Sequence, residues 1–350
     1  MEQFALFIRQ VKNRIRDFLP EEYQSAVVTA QSTPRNNDRM GVSLIIQKEG
    51  QTFPFAFDLG QYYQMRLNGD TEEMVLSQIA DECVKQNQKE QDLLDFEKIK
   101  NRLWMQLLAK ESNQERLKSC PYKEIEGTDL VATFHLHTNN EKDSTEGILV
   151  VNGLLEQWGQ DVDSLYREAL QNMQHQMPVQ IKNLNDFLLS GEANQKPEQV
   201  SCNPVELYVM TNAKGEYGAA TLLYPEVLQT LAENSNGDLF ILPSSIHEVL
   251  VMKADGGMEA KELQYMVMEI NRQEVRPEEV LSDQVYRYGR ESQSISLAAT
   301  REETEELLRG YFPLEMQGHP GVQELLDMES EQCLRGCIFV KNSRRGSFNL

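Results

Sequence analysis

Basic residues are scarce in this chain of 350: 34 Lys and Arg stand against 55 Asp and Glu, leaving a net charge of −21 and a sequence pI near 4.7. That scarcity argues against a protein that wraps nucleic acid, because such affinity comes from cations displacing counterions along the phosphates. The excess is also thin, about one charge per seventeen residues, which suits solubility better than imitation of a polyanion. Cysteines number only five, at Cys83, Cys120, Cys202, Cys333 and Cys337. An odd, sparse set is no disulfide framework and reads as reduced thiols. Long apolar runs are missing too. The longest near the amino terminus, Phe4 to Ile8, is too short for a signal-peptide core and follows no basic residues. No stretch nears the ~20 apolar residues of a membrane span. Together these absences lead to the expectation of a cytoplasmic protein without membrane attachment.

What is present is enough for a large folded body: 40% of residues are hydrophobic and 25% charged. Phe4, Phe7, Ile8, Val11, Ile15, Phe18 and Leu19 recur at helical spacing before Pro20, with Arg9, Lys12, Arg14 and Arg16 on the other face. A helix docked on the body with a solvated basic face accounts for this more simply than one lying on a membrane. Ser25–Ala30 and Gly41–Gln47 read as strands around the turn cluster from Pro34 to Asp38, followed by Phe53–Phe57. Asp70 with Glu73 predicts a helix start. Leu93, Leu94, Ile99, Leu103, Leu107 and Leu108 predict a second, longer helix ending before Pro121.

Leu130 to Thr138 alternates as a half-buried strand should, Gly147–Asn152 is another strand, and Trp158 to Met173 has helical spacing. The segment 190–204, SGEANQKPEQVSCNP, lacks apolar periodicity and is the linker candidate. Beyond it, Glu206–Thr211 and Tyr217–Tyr224 flank Lys214-Gly215 as in a hairpin, and Pro225 opens a helix. Leu239–Leu242 and Ile246–Met252 read as strands, Leu263 to Ile270 as a helix, and Val285–Tyr288 with Ser294–Leu297 as a final hairpin. Hairpins interrupted by helices lack the strict alternation of a doubly wound parallel sheet. The predicted class is α+β, with largely antiparallel sheets flanked by helices. It is divided into an N-terminal region over 1–190 with a helical insertion, a second α+β region over 205–297, and a tail of helix and short strands over 298–350.

The block from Leu207 to Met252, with ILPSSIHEVL as its most distinctive motif, and LSDQVYRYG from Leu281 to Gly289 resemble the bacterial domain of unknown function family numbered 5688. The resemblance extends upstream through Lys98 to Tyr122. It implies no established activity and transfers no site residue.

Two clusters have the residue types for chemistry. Ser244, Ser245, His247 and Glu248 place hydroxyls, an imidazole and a carboxylate close together. A hydrolase needs its base against the serine and the acid behind the base. In an extended strand Glu248 points away from His247, Ser245 lies about 6–7 Å from it, and no Gly-x-Ser-x-Gly elbow occurs. A turn set by Pro243 and the serines is the plainer reading. His135 and His137, on one strand face, form the sole His-x-His pair; zinc would require further ligands, with Asp129 and Glu141 as neighbours, and two histidines on a solvated face is the simpler account.

Cys333 and Cys337, with His319 upstream, lack knuckle spacing, and Glu302, Glu303, Glu305 and Glu306 after Thr300 fit a solvated helix start. Lys341, Arg344 and Arg345 form a small basic patch. No Walker loop, dinucleotide fingerprint, His-Glu-x-x-His or EF-hand loop occurs, so no cofactor is expected. The reading is a non-enzymatic macromolecule-binding or accessory protein, with a protein partner or self-association as the expected contact. The rival is a hydrolase or metal-assisted enzyme using Ser245 with His247, or His135 with His137.

Overall fold

At the cluster Pro34 to Asp38 the chain reverses, with Asn37 and Asp38 at φ of 56° and 46°. Such left-handed geometry suits Asn and Asp, whose short polar side chains bond locally. The reversal pairs Val27–Pro34 (β1) with Met40–Gln47 (β2), Val28 opposite Ile46 and Ala30 opposite Leu44. The computed structural model describes residues 2–49, 51, 54–137, 147–184, 197, 200, 202, 206–243, 245–255, 257–299 and 302–303, the side chains of 86–91 excepted. It divides between Ile99 and Lys100 into two compact units.

In the first unit Phe55–Asp58 (β3) completes an antiparallel sheet of order β1-β2-β3. Helix Glu2–Arg14 (α1) buries Phe7 and Val11 and leaves Arg9 and Lys12 exposed, the amphipathic pattern expected of it. Leu59–Leu67 (α2) is capped by Asp58, whose carboxylate accepts from the Gly60 N–H at 2.9 Å. Glu72–Leu93 (α3) starts at Thr71, not at Asp70: the Thr71 hydroxyl accepts from the Met74 N–H at 3.2 Å. The three helices and the 3-10 turn Ile15–Asp17 bury Val11, Ile15, Leu59, Val75, Leu76 and Ile79 against Val28, Leu44, Ile46 and Phe57 of the sheet. Phe96–Ile99 (α4) ends the unit.

The long helix expected over 93–108 is corrected by the structure. Its second half is a strand, Leu103–Ala109 (β4), buried on both faces. An almost continuous apolar run, broken only by Gln106, satisfies helical spacing by accident, since nearly every position is apolar enough to match any period. After Gln114–Leu117 (α5) and Tyr122–Glu124 (β5), β4 pairs antiparallel with Leu130–His137 (β6), which also takes β5 and Gly147–Leu149 (β7). Strand β6 is buried at all eight positions, so its second face is not solvated.

Asn152–Trp158 (α6) stops at Gly159 in the left-handed region, φ 62°. Val162–Gln176 (α7), capped by Asp161, then covers the outer edge of β4. Asn172 Nδ2 donates to the carbonyls of Lys100 and Leu103, and the Met105 N–H points to Met173 Sδ at 3.1 Å.

The six-stranded antiparallel sheet has order β13-β12-β10-β11-β9-β8. Its strands are Val179–Asn183 (β8), Tyr208–Asn212 (β9), Leu239–Leu242 (β10), Val249–Lys253 (β11), Tyr286–Gly289 (β12) and Ser294–Leu297 (β13). Strands β8 and β9, on either side of the 190–204 segment, are hydrogen-bonded neighbours in this one sheet. Helix Val227–Asn234 (α8) follows Pro225, and Ala260–Gln273 (α9) packs Leu263 and Val267 on Phe240, Leu242 and Leu250. The class is α+β with antiparallel sheets, as the order of elements predicts.

The hairpin expected at Lys214-Gly215 does not form. Residues Gly218–Leu223 are 3-10 helix. The Asn212 side chain accepts from the N–H groups of Lys214 and Gly215, both at 2.9 Å, and turns the chain out of the sheet. Residues 304–350, and with them Glu305, Glu306, His319, Cys333, Cys337, Lys341, Arg344 and Arg345, lie outside the described residues, as do Glu141, Ser244 and Thr300.

Candidate functional site

Because β4 and β6 pair with Trp104 opposite His135, the indole and the imidazole leave the sheet on the same side. Their rings stack with centroids 4.6 Å apart, and His137, two residues on, stacks on the same indole at 5.7 Å. Trp104 also meets Tyr217 at 5.0 Å, the rings tilted at 42°, and Tyr217 in turn stacks on His247 at 5.4 Å. The two histidine groups of the sequence therefore join in one array, His135 and His137 on one flank and His247 on the other. Met105, Met173, Met177 and Glu216 line the adjoining crevice with Trp104, His137 and Tyr217.

Tyr217 holds the centre in a costly conformation, φ 53° and ψ 23°. A bulky side chain there loses roughly 1–2 kcal/mol to clash with its own backbone. Ring contacts with Trp104 and His247 and a hydrogen bond from its N–H to His247 Nδ1, at 3.2 Å, hold it in place. Gly218 follows because nothing larger fits: a Cβ would lie 2.1 Å from Thr211 Oγ1 and 2.5 Å from the His247 carbonyl oxygen. Gly147 is constrained likewise, since its Cβ would reach within 2.8 Å of the Trp104 ring.

His247 and His135 are each held by polar contacts, and His137 by its stack on Trp104. His247 precedes β11 instead of lying within it, because the expected strand from Ile246 begins only at Val249. Its Nδ1 accepts from Tyr217, which leaves the proton on Nε2, 3.6 Å from Glu279 Oε1. Glu279 is positioned by the Ile246 N–H bonding to its carbonyl and has Arg276 beside its carboxylate. The Ser245 hydroxyl accepts from the His247 backbone N–H at 3.1 Å, a local turn bond. Ser245 and His247 thus sit together, but neither ring nitrogen of His247 is left to serve as base for that hydroxyl. Ser244 lies outside the described residues.

His135 and His137 are not on a solvated face; they are 5% and 8% exposed. His135 Nε2 lies 3.2 Å from Thr133 Oγ1. Burial, helped by Arg116 and His137, holds its pKa well below 6.5, so the ring is neutral at pH 7. Asp129, a candidate third ligand, is committed elsewhere: it accepts from Ser282 Oγ at 2.8 Å and from the Tyr286 hydroxyl. Among the described residues no three His, Cys, Asp or Glu side chains gather as a cation site.

The model of the family of unknown function DUF5688 matches residues 4–290. The chain belongs to this family. The match contains every residue of the stacked array, from Trp104 to Glu279, and spans both units. No curated protein and no solved structure matches the chain.

Trp104, Tyr217 and Glu279 are members of the site that sequence reasoning did not single out. The signal for Trp104 was its position opposite His135, visible only once 103–109 is read as a strand. Tyr217 carried a weaker one, a bulky residue inside the Gly215 to Gly218 turn.

Proposed function

We propose that the protein acts in the bacterial cytoplasm by binding a protein partner, a second copy of itself included, and performs no chemistry of its own. The observation that carries this is the engagement of His247: one nitrogen bonds the Tyr217 backbone, the other faces Glu279, and Ser245 bonds the backbone of His247. A general base needs a nitrogen within reach of the proton it removes. In its place the array forms a packed, stacked element that fixes β4, β6 and the turns around them. Support for the compartment comes from Cys83, Cys120 and Cys202, all buried free thiols. The charge of −21 argues against a nucleic-acid partner, and among the described residues no helix is long and apolar enough to cross a membrane.

The test treats the purified chain with a fluorophosphonate serine probe, measures bound metal, and looks for a retained protein or higher mass by light scattering. The expected outcome is an unlabelled chain without stoichiometric metal that associates. Labelling abolished by Ser245→Ala would overturn the reading in favour of a hydrolase.

A further inference from the structure

We infer that two copies of the chain associate through the outer edge of β1, pairing their Val27–Pro34 strands antiparallel about a two-fold axis. The inference rests on the binding reading above and specifies its surface.

A sheet edge displays unpaired N–H and C=O groups, and proteins ordinarily blunt it with charge, proline, shortness or a cover; β1 has a proline only at its last position, Pro34. The other edges in the described residues follow that rule. Strand β3 has four residues and ends in Asp58, β7 has only three residues, β8 contains Lys182, and β5 contains Lys123 and Glu124. The long edge of β4 is covered by α7 through Asn172. Strand β13 is four residues long, and the Gly127 backbone presses on its Ile295 carbonyl. Strand β1 departs from all of them. It is eight residues long, VVTAQSTP, without one charged side chain in a molecule where a quarter of residues are charged, and within the described residues it pairs with β2 alone.

The occupant follows from that composition. A two-fold contact sets a surface against itself, so it must be self-complementary. A strand without charge meets its own copy without repulsion, and Val27, Val28, Thr29 and Thr33 favour pairing. It offers a foreign strand no charge to recognise. Val28 and Ala30 face the buried side of the sheet, so Thr29 and Gln31 lie on the other face. If the two sheets continue with like faces aligned, residues opposite one another share parity. The two registers that pair the most of the strand set Gln31 against its own copy or Thr29 against Gln31.

Replacing both, Thr29→Lys with Gln31→Lys, therefore sets lysines opposite one another in either register. Sedimentation equilibrium of the full chain from about 1 to about 100 μM should show the wild-type mass rising toward twice 40.2 kDa. The rise should be stronger at high salt, which screens the repulsion between two chains of charge −21. The double variant should stay at the monomer mass with unchanged circular dichroism, and Gln31→Thr should still dimerise. If the double variant misfolds, hydrogen exchange on the wild type decides, since amides of 27–34 should exchange more slowly at the higher concentration. A wild type that stays monomeric, a dimer indifferent to the lysines, or exchange independent of concentration overturns the inference. A monomer that retains a different protein and takes no serine label defeats only this edge. Serine labelling defeats the binding reading whatever the mass.

Discussion

The unit before residue 100 contains neither histidine nor tryptophan, whereas the unit after it is organised around a tryptophan and three histidines. The first buries a mostly apolar core, chiefly Phe, Leu, Ile and Val with Tyr23 and Tyr62, beside the buried polar residues Asn36, Ser43 and Gln51, and has caps at its helix starts. Such a core tolerates exchange among apolar residues of similar volume. The second buries Thr133, His135, Asn212, Ser245, His247 and Asn271, each with a hydrogen-bond partner. A buried polar network is unforgiving, because losing one member leaves another unsatisfied at about 1–3 kcal/mol. The sharpest sequence-to-structure constraints therefore belong to the second unit, and the least protected edge belongs to the first.

The largest expected break in this comparison is Trp104→Ala. The ring is 3% exposed and touches His135, His137 and Tyr217, so its loss should cost about 3–5 kcal/mol. Trp158 remains as a fluorescent reporter within the same unit, and its urea midpoint should fall. Alkylation of Cys83, read by peptide mass, should stay unchanged, since that thiol belongs to the first unit. A midpoint within error of wild type would remove the array from its central place.

Next comes Gly218→Ala. The added Cβ meets Thr211 Oγ1 and two backbone atoms below 3 Å, and backbone has nowhere to swing. Overpacking of this kind costs about 1–3 kcal/mol. Chemical denaturation measures it, and a neutral result would mean that the turn around Tyr217 is pliable.

The pH dependence should separate the units without mutation. His135 is held neutral in the fold, its pKa well below the 6.5 of an exposed imidazole. Below pH 6.5 the unfolded chain takes up a proton that the fold refuses, so stability is complete above 6.5 and declines as pH falls. The slope is up to about 1.4 kcal/mol per pH unit for one such group. Tryptophan-detected urea midpoints should drop between pH 7.5 and 5.5, and His135→Gln should flatten the drop. Cys83 alkylation, corrected for thiolate content, should not report the change.

Legibility in the sequence follows the same division. Local patterns were readable: the hairpin of β1 and β2 from its Asn-Asp turn, α1 and α7 from helical spacing, β12 and β13 from their glycine turn. What failed depended on partners far along the chain. Leu103–Ala109 is a strand because it pairs with β6 and packs against α7, and burial on both faces makes every residue but Gln106 apolar and erases the period. Tyr217–Tyr224 leaves the sheet because Asn212 bonds the turn, a local cause whose signal is one side chain. His135, His137 and His247 were recognisable as residue types. Their union through Trp104 and Tyr217 was not, because it depends on pairing register and on a loop more than a hundred residues away.

The smallest effect probes the first unit. The helix start predicted at Asp70 lies at Thr71, whose hydroxyl takes the Met74 N–H. Removing that acceptor by Thr71→Ala should cost about 1 kcal/mol, and Thr71→Ser should restore it. Cys83, further along α3, provides the reading: it is buried and its thiol is pushed up to about 11 by that burial, so it reacts chiefly when the helix opens. A loss of 1 kcal/mol in local stability multiplies its alkylation rate by about five. Trp158 fluorescence should not move. If Thr71→Ala leaves the rate unchanged and Asp70→Ala raises it, the start of α3 is held by the residue the sequence pattern favours, and the hydroxyl contact is incidental.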